Sequence, residues 1–188
     1  MPAAILPKPA SFSRVTITEL MIPSYANFGG KIHGGILLSL MDKVAYAAAS
    51  KHSGAYCVTV SVDTVNFLQP VEVGELVSLK ASVNHVGNSS MIIGIKVISE
   101  NVKTGVVKHT NTCYFTMVAK GEDDRPTTVP PLLLETRTDV RRFVEAIKRK
   151  SYKKEYESLL DQVKRNWDQE AISSLLEGQR CEVKAGMP

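Results

Sequence analysis

From Arg14 to Leu20 polar and apolar residues alternate, the period of a half-buried strand, and Pro23 brings the run to an end. Between residues 34 and 50 the chain is apolar on nearly every face, with Ser39, Asp42, Lys43 and Ser50 as the strongly polar exceptions. That pattern predicts a helix of ~25 Å surrounded by protein, with Gly54 just past its end as a stop signal. Strand patterns rich in Val and Thr follow at 56–68, 74–86, 89–100 and 105–118. Pro70 and Gly74, then Gly87-Asn88, then Asn101 to Gly105 separate them, each break short enough for a hairpin. The predicted order β-α-β-β-β-β lays one long helix against one face of an antiparallel sheet, an α+β layer arrangement.

Near Gly121 the alternation gives way to Glu122-Asp123-Asp124-Arg125-Pro126 and Pro130-Pro131, a polar stretch marked by proline. The expected organisation is one domain over residues 1–121 with its ordered core at about 12–120, a linker over 122–137 and a helical extension over 138–188. In the extension Val140, Phe143, Val144, Ile147, Tyr156, Leu159, Leu160, Val163 and Trp167 recur at helical spacing, interrupted by charge. This predicts one broken amphipathic helix or two, packed on a neighbouring subunit. Between Arg137 and Lys154 eight basic residues face two acidic ones, Asp139 and Glu145. A solvated face or an oligomer contact is the simpler account of that bias, and contact with phosphate groups is the other.

At 188 residues the chain has room for one core and an extension. Its net charge of +4 is too small to imply nucleic acid. Cys57, Cys113 and Cys181 are odd in number and form no Cys-x-x-Cys pair, which argues against a disulfide framework or a zinc site and for a reducing, cytoplasmic setting. Pro2, Pro7 and Pro9 break up the first residues, so no secretory signal is expected, and no segment approaches the ~20 apolar residues of a membrane span.

The stretch with most chemical content is Asn27-Phe28-Gly29-Gly30-Lys31-Ile32-His33-Gly34-Gly35, a glycine-rich loop that feeds the helix. A helix starting at a Gly-Gly pair leaves N–H donors uncovered, so Gly34 and Gly35 are candidates to hold an oxyanion; a packing demand for glycine is the simpler account. Asp42 interrupts the apolar run. Buried without a partner, its carboxyl would titrate high enough to act as a general base; on an exposed edge beside Lys43 it would merely be solvated. Asn27 is a candidate to position water or a carbonyl, or is an ordinary loop residue. A histidine in the place of His33 anchors backbone more often than it acts as a base, since a helix start disfavours an imidazolium. His52, His85 and His109 show no metal-ligand spacing. Eight helical residues hold Gly34 and Asp42 ~12 Å apart. The two can serve one carbonyl together only from different subunits across a two-fold interface.

Asn27-x-x-Gly30-x-x-His33-Gly34-Gly35, Met41-Asp42, Val60-Ser61-Val62-Asp63-x-x-Asn66-Phe67-x-x-Pro70, Val73-Gly74-Glu75 and Val86-Gly87-Asn88-Ser89-Ser90 follow one another as in the hotdog-fold acyl-CoA thioesterases. Over about residues 12–120 the chain resembles the bacterial YciA type of that family. The resemblance implies a long central helix wrapped by an antiparallel sheet, and a homodimer often assembled further into a hexameric trimer of dimers. It implies hydrolysis of acyl-CoA to fatty acid and coenzyme A with no cofactor, coenzyme A being part of the substrate. Asp42 would be the general base or nucleophile, with Asn27 of the facing subunit beside the water and thioester. Gly34 and Gly35 would receive the oxyanion, with His33 in support. Asn66 and the run Val86, Gly87, Asn88, Ser89 and Ser90 would border the CoA cleft, although Gly87-Asn88 is equally a hairpin turn. Two departures bear on substrate preference. Tyr25-Ala26-Asn27 stands where the family commonly has Asp-Thr-Asn, and His33 replaces a frequent Phe, as in phenylacetate-pathway thioesterases. The rival readings are a hotdog protein that binds acyl-CoA without turnover and a 3-hydroxyacyl-thioester dehydratase with His33 as base.

Overall fold

The computed structural model describes residues 5–165 and 169–184, so Trp167 lies outside the described residues. In chain order the elements are β1 (Lys8–Pro9), β2 (Val15–Leu20), α1 (Gly34–Ser53), β3 (Tyr56–Val62), β4 (Glu75–Val86), β5 (Ser90–Asn101), β6 (Val106–Lys120), β7 (Leu132–Leu133), α2 (Arg137–Arg165) and α3 (Gln169–Leu176). Five strands form one antiparallel sheet in the order β2-β4-β5-β6-β3, curled around α1 in the hotdog arrangement. Register shifts at Thr59/Ser61, Val83/His85 and Val97/Ile98 help it curl, because an extra residue bends a strand and increases its twist.

Alternate residues of the long strands turn inward. Val77, Leu79, Ala81 and Val83 of β4, Met91, Ile93, Ile95 and Val97 of β5, and Cys113, Phe115, Met117 and Ala119 of β6 are all buried. They meet Leu37, Leu40, Met41, Val44, Ala45, Ala48 and Ala49 of α1, where small side chains let the helix backbone lie close to the sheet. Burial pushes the Cys113 thiol up to about 12, with the Asp63 carboxylate adding to the shift, so Cys113 is a core residue and not a nucleophile. The helix ends at Gly54, which takes φ 74°.

Two expectations are corrected. The first and second strands after the helix do not form a hairpin: β3 pairs with β6, and residues 63–74 carry the chain to β4, two strands further on. Alternation reports which residues face inward but not which strand lies beside which. Nor is α1 enclosed on all sides within one copy. Gly35, Leu38, Ser39, Asp42, Lys43 and Tyr46 are exposed at helical spacing, since the sheet covers only the opposite face.

The chain divides into two compact units, one through Ala146 and the other from Ile147. Residues 126–134 are docked on the first unit: Val129 is buried, and β7 makes a short parallel ladder with β1. Helix α2 starts with a reciprocal cap, in which Asp139 Oδ2 accepts from the Thr136 N–H (3.0 Å) and hydroxyl (2.7 Å) while Thr136 Oγ accepts from the Asp139 N–H (3.1 Å). Burial alone would raise the Asp139 carboxyl, but the bonds from Thr136 and the Arg14 guanidinium outweigh it and hold it below the ordinary value. Phe143, placed by the sequence against a neighbouring subunit, stacks on His85 of its own chain at 4.7 Å. The second unit holds the distal part of α2 and then α3, with Tyr152, Tyr156, Leu159, Leu160 and Val163 exposed. Among the described residues no helix is long and apolar enough to cross a membrane.

His52, fully buried near the end of α1, ties down the 126–134 segment. Its Nε2 lies 2.9 Å from Pro130 O, and because a carbonyl only accepts, Nε2 carries the proton. Nδ1 is buried with no partner among the described residues. Burial lowers the His52 pKa from 6.5, the Lys8 ammonium lowers it further, and the Pro130 bond opposes them. A depressed folded pKa means that stability is full above about 6.5 and falls as pH drops below it, when the unfolded chain binds the proton more readily. A forced Nδ1–H would be a buried donor without acceptor, at about 1–3 kcal/mol. Thermal melting between pH 7.5 and 5, a window chosen to bracket 6.5, should show a loss of stability that His52→Gln, which keeps the donor, reduces; identical slopes for both proteins would exclude the histidine as its source.

Candidate active site

The loop before α1 closes on itself. Ala26 and Ile32 bridge, the Asn27 N–H donates to Lys31 O at 2.7 Å, and Gly30 takes φ 74°, a left-handed conformation that glycine adopts without strain. Asn27 Oδ1 accepts from the N–H groups of Gly29 (2.8 Å) and Lys31 (3.2 Å), so this side chain shapes the loop. Its NH2 group has no acceptor among the described residues.

His33 caps the helix, with Nδ1 accepting the Gly35 N–H at 2.9 Å. Accepting there leaves Nε2 as the ring's outward nitrogen and commits Nδ1 to the cap. A Cβ on Gly35 would meet Nδ1 at 2.9 Å, so glycine there leaves room for the His33 cap, while one on Gly34 would press the Phe67 ring at 3.3 Å. Of the two expected oxyanion donors, Gly35 is committed to His33. The Gly34 N–H has no acceptor among the described residues.

Asp42 is exposed rather than buried in one copy of the chain. The Thr59 hydroxyl donates to its Oδ1 at 2.5 Å, the short range of a bond to a carboxylate. The pair lines an open cleft of about 430 Å³ with Tyr46, Tyr56 and Met117, beside the unpaired edge of β3. The sequence reading missed Thr59. The signal was there in lengths: from Gly54, ~18 Å of helix back to Asp42 matches ~17 Å of strand forward to Thr59.

One chain does not bring the expected residues together. Asn27, His33 and Gly34 sit at the start of α1, where Phe67 covers Gly34 and Asn66 O accepts from Asn111 Nδ2 at 2.7 Å. Asp42 and Thr59 sit beside Met117, at the other end of β6. The stretch Val86–Ser90 is a tight turn, with Gly87 N–H donating to Ser90 O at 2.7 Å, and it docks there too, Ala119 N–H donating to Ser89 O and Val129 N–H to Asn88 O. Ser90 pairs with Val118, seven residues from Asn111, which places Asn66 and the turn ~23 Å apart along the strand. Among the described residues no group of three or more His, Cys, Asp or Glu side chains is arranged to hold a metal.

Residues 29–106 match the model of the thioesterase superfamily. Protein VdlD of Helicobacter pylori is 45% identical over 141 residues, which are 75% of this chain and 80% of that one. The uncharacterized acyl-CoA thioester hydrolase YkhA of Bacillus subtilis is 33% identical over 142 residues, 76% of this chain and 83% of that one. The chain belongs to the acyl-CoA thioester hydrolases. As an enzyme of that family it superimposes on an apo-hexameric acyl-CoA thioesterase with a TM-score of 0.79 at 34% identity, over 82% of this chain and 99% of that one. An acyl-CoA hydrolase from Staphylococcus aureus, solved with butyryl coenzyme A, coenzyme A and coenzyme A disulfide, gives 0.75 at 27% identity over 84% and 96%. That hydrolase has also been solved with an asparagine, an aspartate or a threonine changed to alanine, and these are spaced along its chain as Asn27, Asp42 and Thr59 are spaced here.

A hydroxyl bonded to a carboxylate is worth about 1.5–3 kcal/mol, or about 10- to 100-fold in rate where it holds a reacting group. Thr59→Val should therefore lower kcat for thiol release by about that factor, while Thr59→Ser keeps most activity and the melting temperature moves little because Thr59 is exposed. Equal rates for Val and Ser at this position would show that the hydroxyl does not matter.

Proposed function

We propose that two copies of this chain, paired along the open edge of β3, hydrolyse acyl-CoA at sites that each completes for the other. The observation that carries this reading is the Asp42–Thr59 pair, held in an open cleft at the sheet edge and two helical turns from the Gly34 N–H of its own chain. The edge strand exposes Tyr56, Val60 and Val62 and an unpaired row of backbone groups, which a second β3 would satisfy. A hexameric relative and one solved with coenzyme A support an oligomer, as a trimer of such dimers, and an acyl-CoA substrate.

In the paired state Asp42 of one copy faces the Asn27 loop of the other. Asp42 takes a proton from water as the water oxygen bonds to the thioester carbonyl carbon, and the carbonyl oxygen becomes an oxyanion opposite the Gly34 N–H and the Asn27 amide. Collapse of this intermediate breaks the C–S bond. The proton on Asp42 passes to the departing sulfur, giving carboxylic acid and coenzyme A and restoring the carboxylate. Thr59 holds Oδ1 in place throughout. Water and the substrate suffice for the step, with no added cofactor. Asn66 of one copy and Val86–Ser90 of another would border the same coenzyme A chain, which fits their separation within a single copy. The His33 ring, with Nδ1 already accepting the Gly35 N–H, is poorly placed for the base role that a dehydratase would require.

Asp42→Asn should leave the oligomer intact and reduce thiol release at least ~100-fold, the scale of a lost general base. Asn27→Ala should be impaired separately. Mixing the two after subunit exchange should recover about a quarter of wild-type activity, because random two-fold pairing leaves half the dimers with one intact site of two. No recovery despite demonstrated exchange would overturn the shared site. Thiol release assayed across acyl chain lengths tests the reaction itself: binding without thiol indicates a sensor, and an enoyl thioester indicates a dehydratase.

A further inference from the structure

The outer face of the sheet, away from α1, carries a groove of about 730 Å³ walled on one side by the first turns of α2. This volume lies within the ~300–1,000 Å³ typical of small-molecule sites. Its lining includes Arg14, Lys80, Lys96, Arg141 and Arg142 against one carboxylate, Glu145. Arg14 is already paired with Asp139, and Arg141 with Glu145. Lys80, Lys96 and Arg142 have no ionic partner among the described residues.

Two features of the floor have no explanation in the fold alone. The ladder sets Lys80 directly opposite Lys96 on the adjacent strand, with Thr16 and Thr112 completing one row across four strands. Like charges in that relation, with Cβ atoms ~5 Å apart, oppose each other and destabilise the sheet unless an anion lies between them. The second feature is Asn84, only 6% exposed. Its Oδ1 accepts from Ser82, while its NH2 has no acceptor among the described residues and lies over Gly94, where a Cβ would come within 2.1 Å of Nδ2. Gly94 thus makes room for an amide that lines the groove with its donors unspent.

We propose that this groove binds a small molecule bearing a diphosphate. Three uncommitted cations can face the two negative charges of a diphosphate diester such as that of coenzyme A, or the roughly three of ADP and pyrophosphate near neutral pH. Lys80 and Lys96 neutralise one phosphate between the strands, Arg142 takes a second with its planar fork, and the Asn84 amide donates to a phosphate oxygen. The groove shares no residue with the Asp42 cleft, and the sheet lies between it and α1. A free nucleotide bound there would be independent of the hydrolytic mechanism, whereas coenzyme A as the occupant rests on the acyl-CoA reading proposed above. Diphosphate has two possible sources, a free nucleoside diphosphate and the diphosphate of coenzyme A reaching across from an adjoining copy.

Isothermal titration of the intact oligomer with ADP, pyrophosphate and coenzyme A tests the site and distinguishes the sources. Binding of one ADP or pyrophosphate per subunit, weakened at least tenfold in Lys80→Gln/Lys96→Gln and separately in Arg142→Gln, supports a free nucleotide. A tenfold loss confined to coenzyme A, with ADP and pyrophosphate inert, assigns the site to the substrate's diphosphate. Circular dichroism and gel filtration confirm folding of each variant, and the single Arg142 variant serves if the double one does not fold. The proposal fails if none of the three ligands binds the wild type at millimolar concentration, or if all bind the variants as tightly as the wild type.

Discussion

The rest of the molecule depends on one rigid rod. Helix α1 runs unbroken for 20 residues, and its inner side, from Leu37 to Ala49, is packed into the sheet without space to shift. Close packing of this kind does not deform by several ångströms to bring distant groups together. The uncovered Gly34 N–H at the start of the rod and the Asp42 carboxylate two turns along are therefore kept apart by the same contacts that stabilise the core. In the reading proposed above, chemistry that uses both draws one of them from another copy, so the stability of the fold and the sharing of the site would have one cause.

The polar groups around the helix start divide between structure and chemistry. His33 satisfies one of the N–H groups that every helix leaves unpaired, a cap generally worth about 1 kcal/mol. In doing so it commits Nδ1 to the backbone. Asn27 spends one end of its amide on the loop and keeps the other open. Asp42 and Thr59 contribute little to packing, being exposed in one copy, where a carboxylate costs little in stability.

The sheet is asymmetric in a way that alternation makes inevitable. Its inner face is mostly apolar and packed against α1, with Glu75 and Ser99 as buried polar exceptions, while the outer face between α2 and β6 carries threonines, serine, asparagine and two adjacent lysines. A solvated sheet face commonly intersperses opposite charges, and here, among the described residues, neither lysine of the pair has an ionic partner, Glu145 being paired with Arg141. Arg141 and Arg142, two of the eight basic residues that the sequence marked between Arg137 and Lys154, supply the groove's wall.

Much was determined by the sequence alone. The period at Val15–Leu20, the apolar run from Gly34, the glycine at 54 and the turn residues at Gly87 and Gly105 specify the helix and strands, because these depend on local backbone geometry and on which side chains face inward. The separation of Gly34 from Asp42 was likewise fixed once the helix was recognised, since rise per residue is constant. Strand partners were not legible: β3 leaves β4 for β6 through contacts far apart along the chain, and no local pattern encodes that choice. The partner of Asp42 was hidden for the same reason, as Thr59 looks like any strand threonine until the chain doubles back. Only the tertiary structure could show that Gly35 is spent on His33, that α1 is open along one face, and that Lys80 lies against Lys96. Each follows from how elements pack against one another, and packing brings together residues that the sequence holds apart.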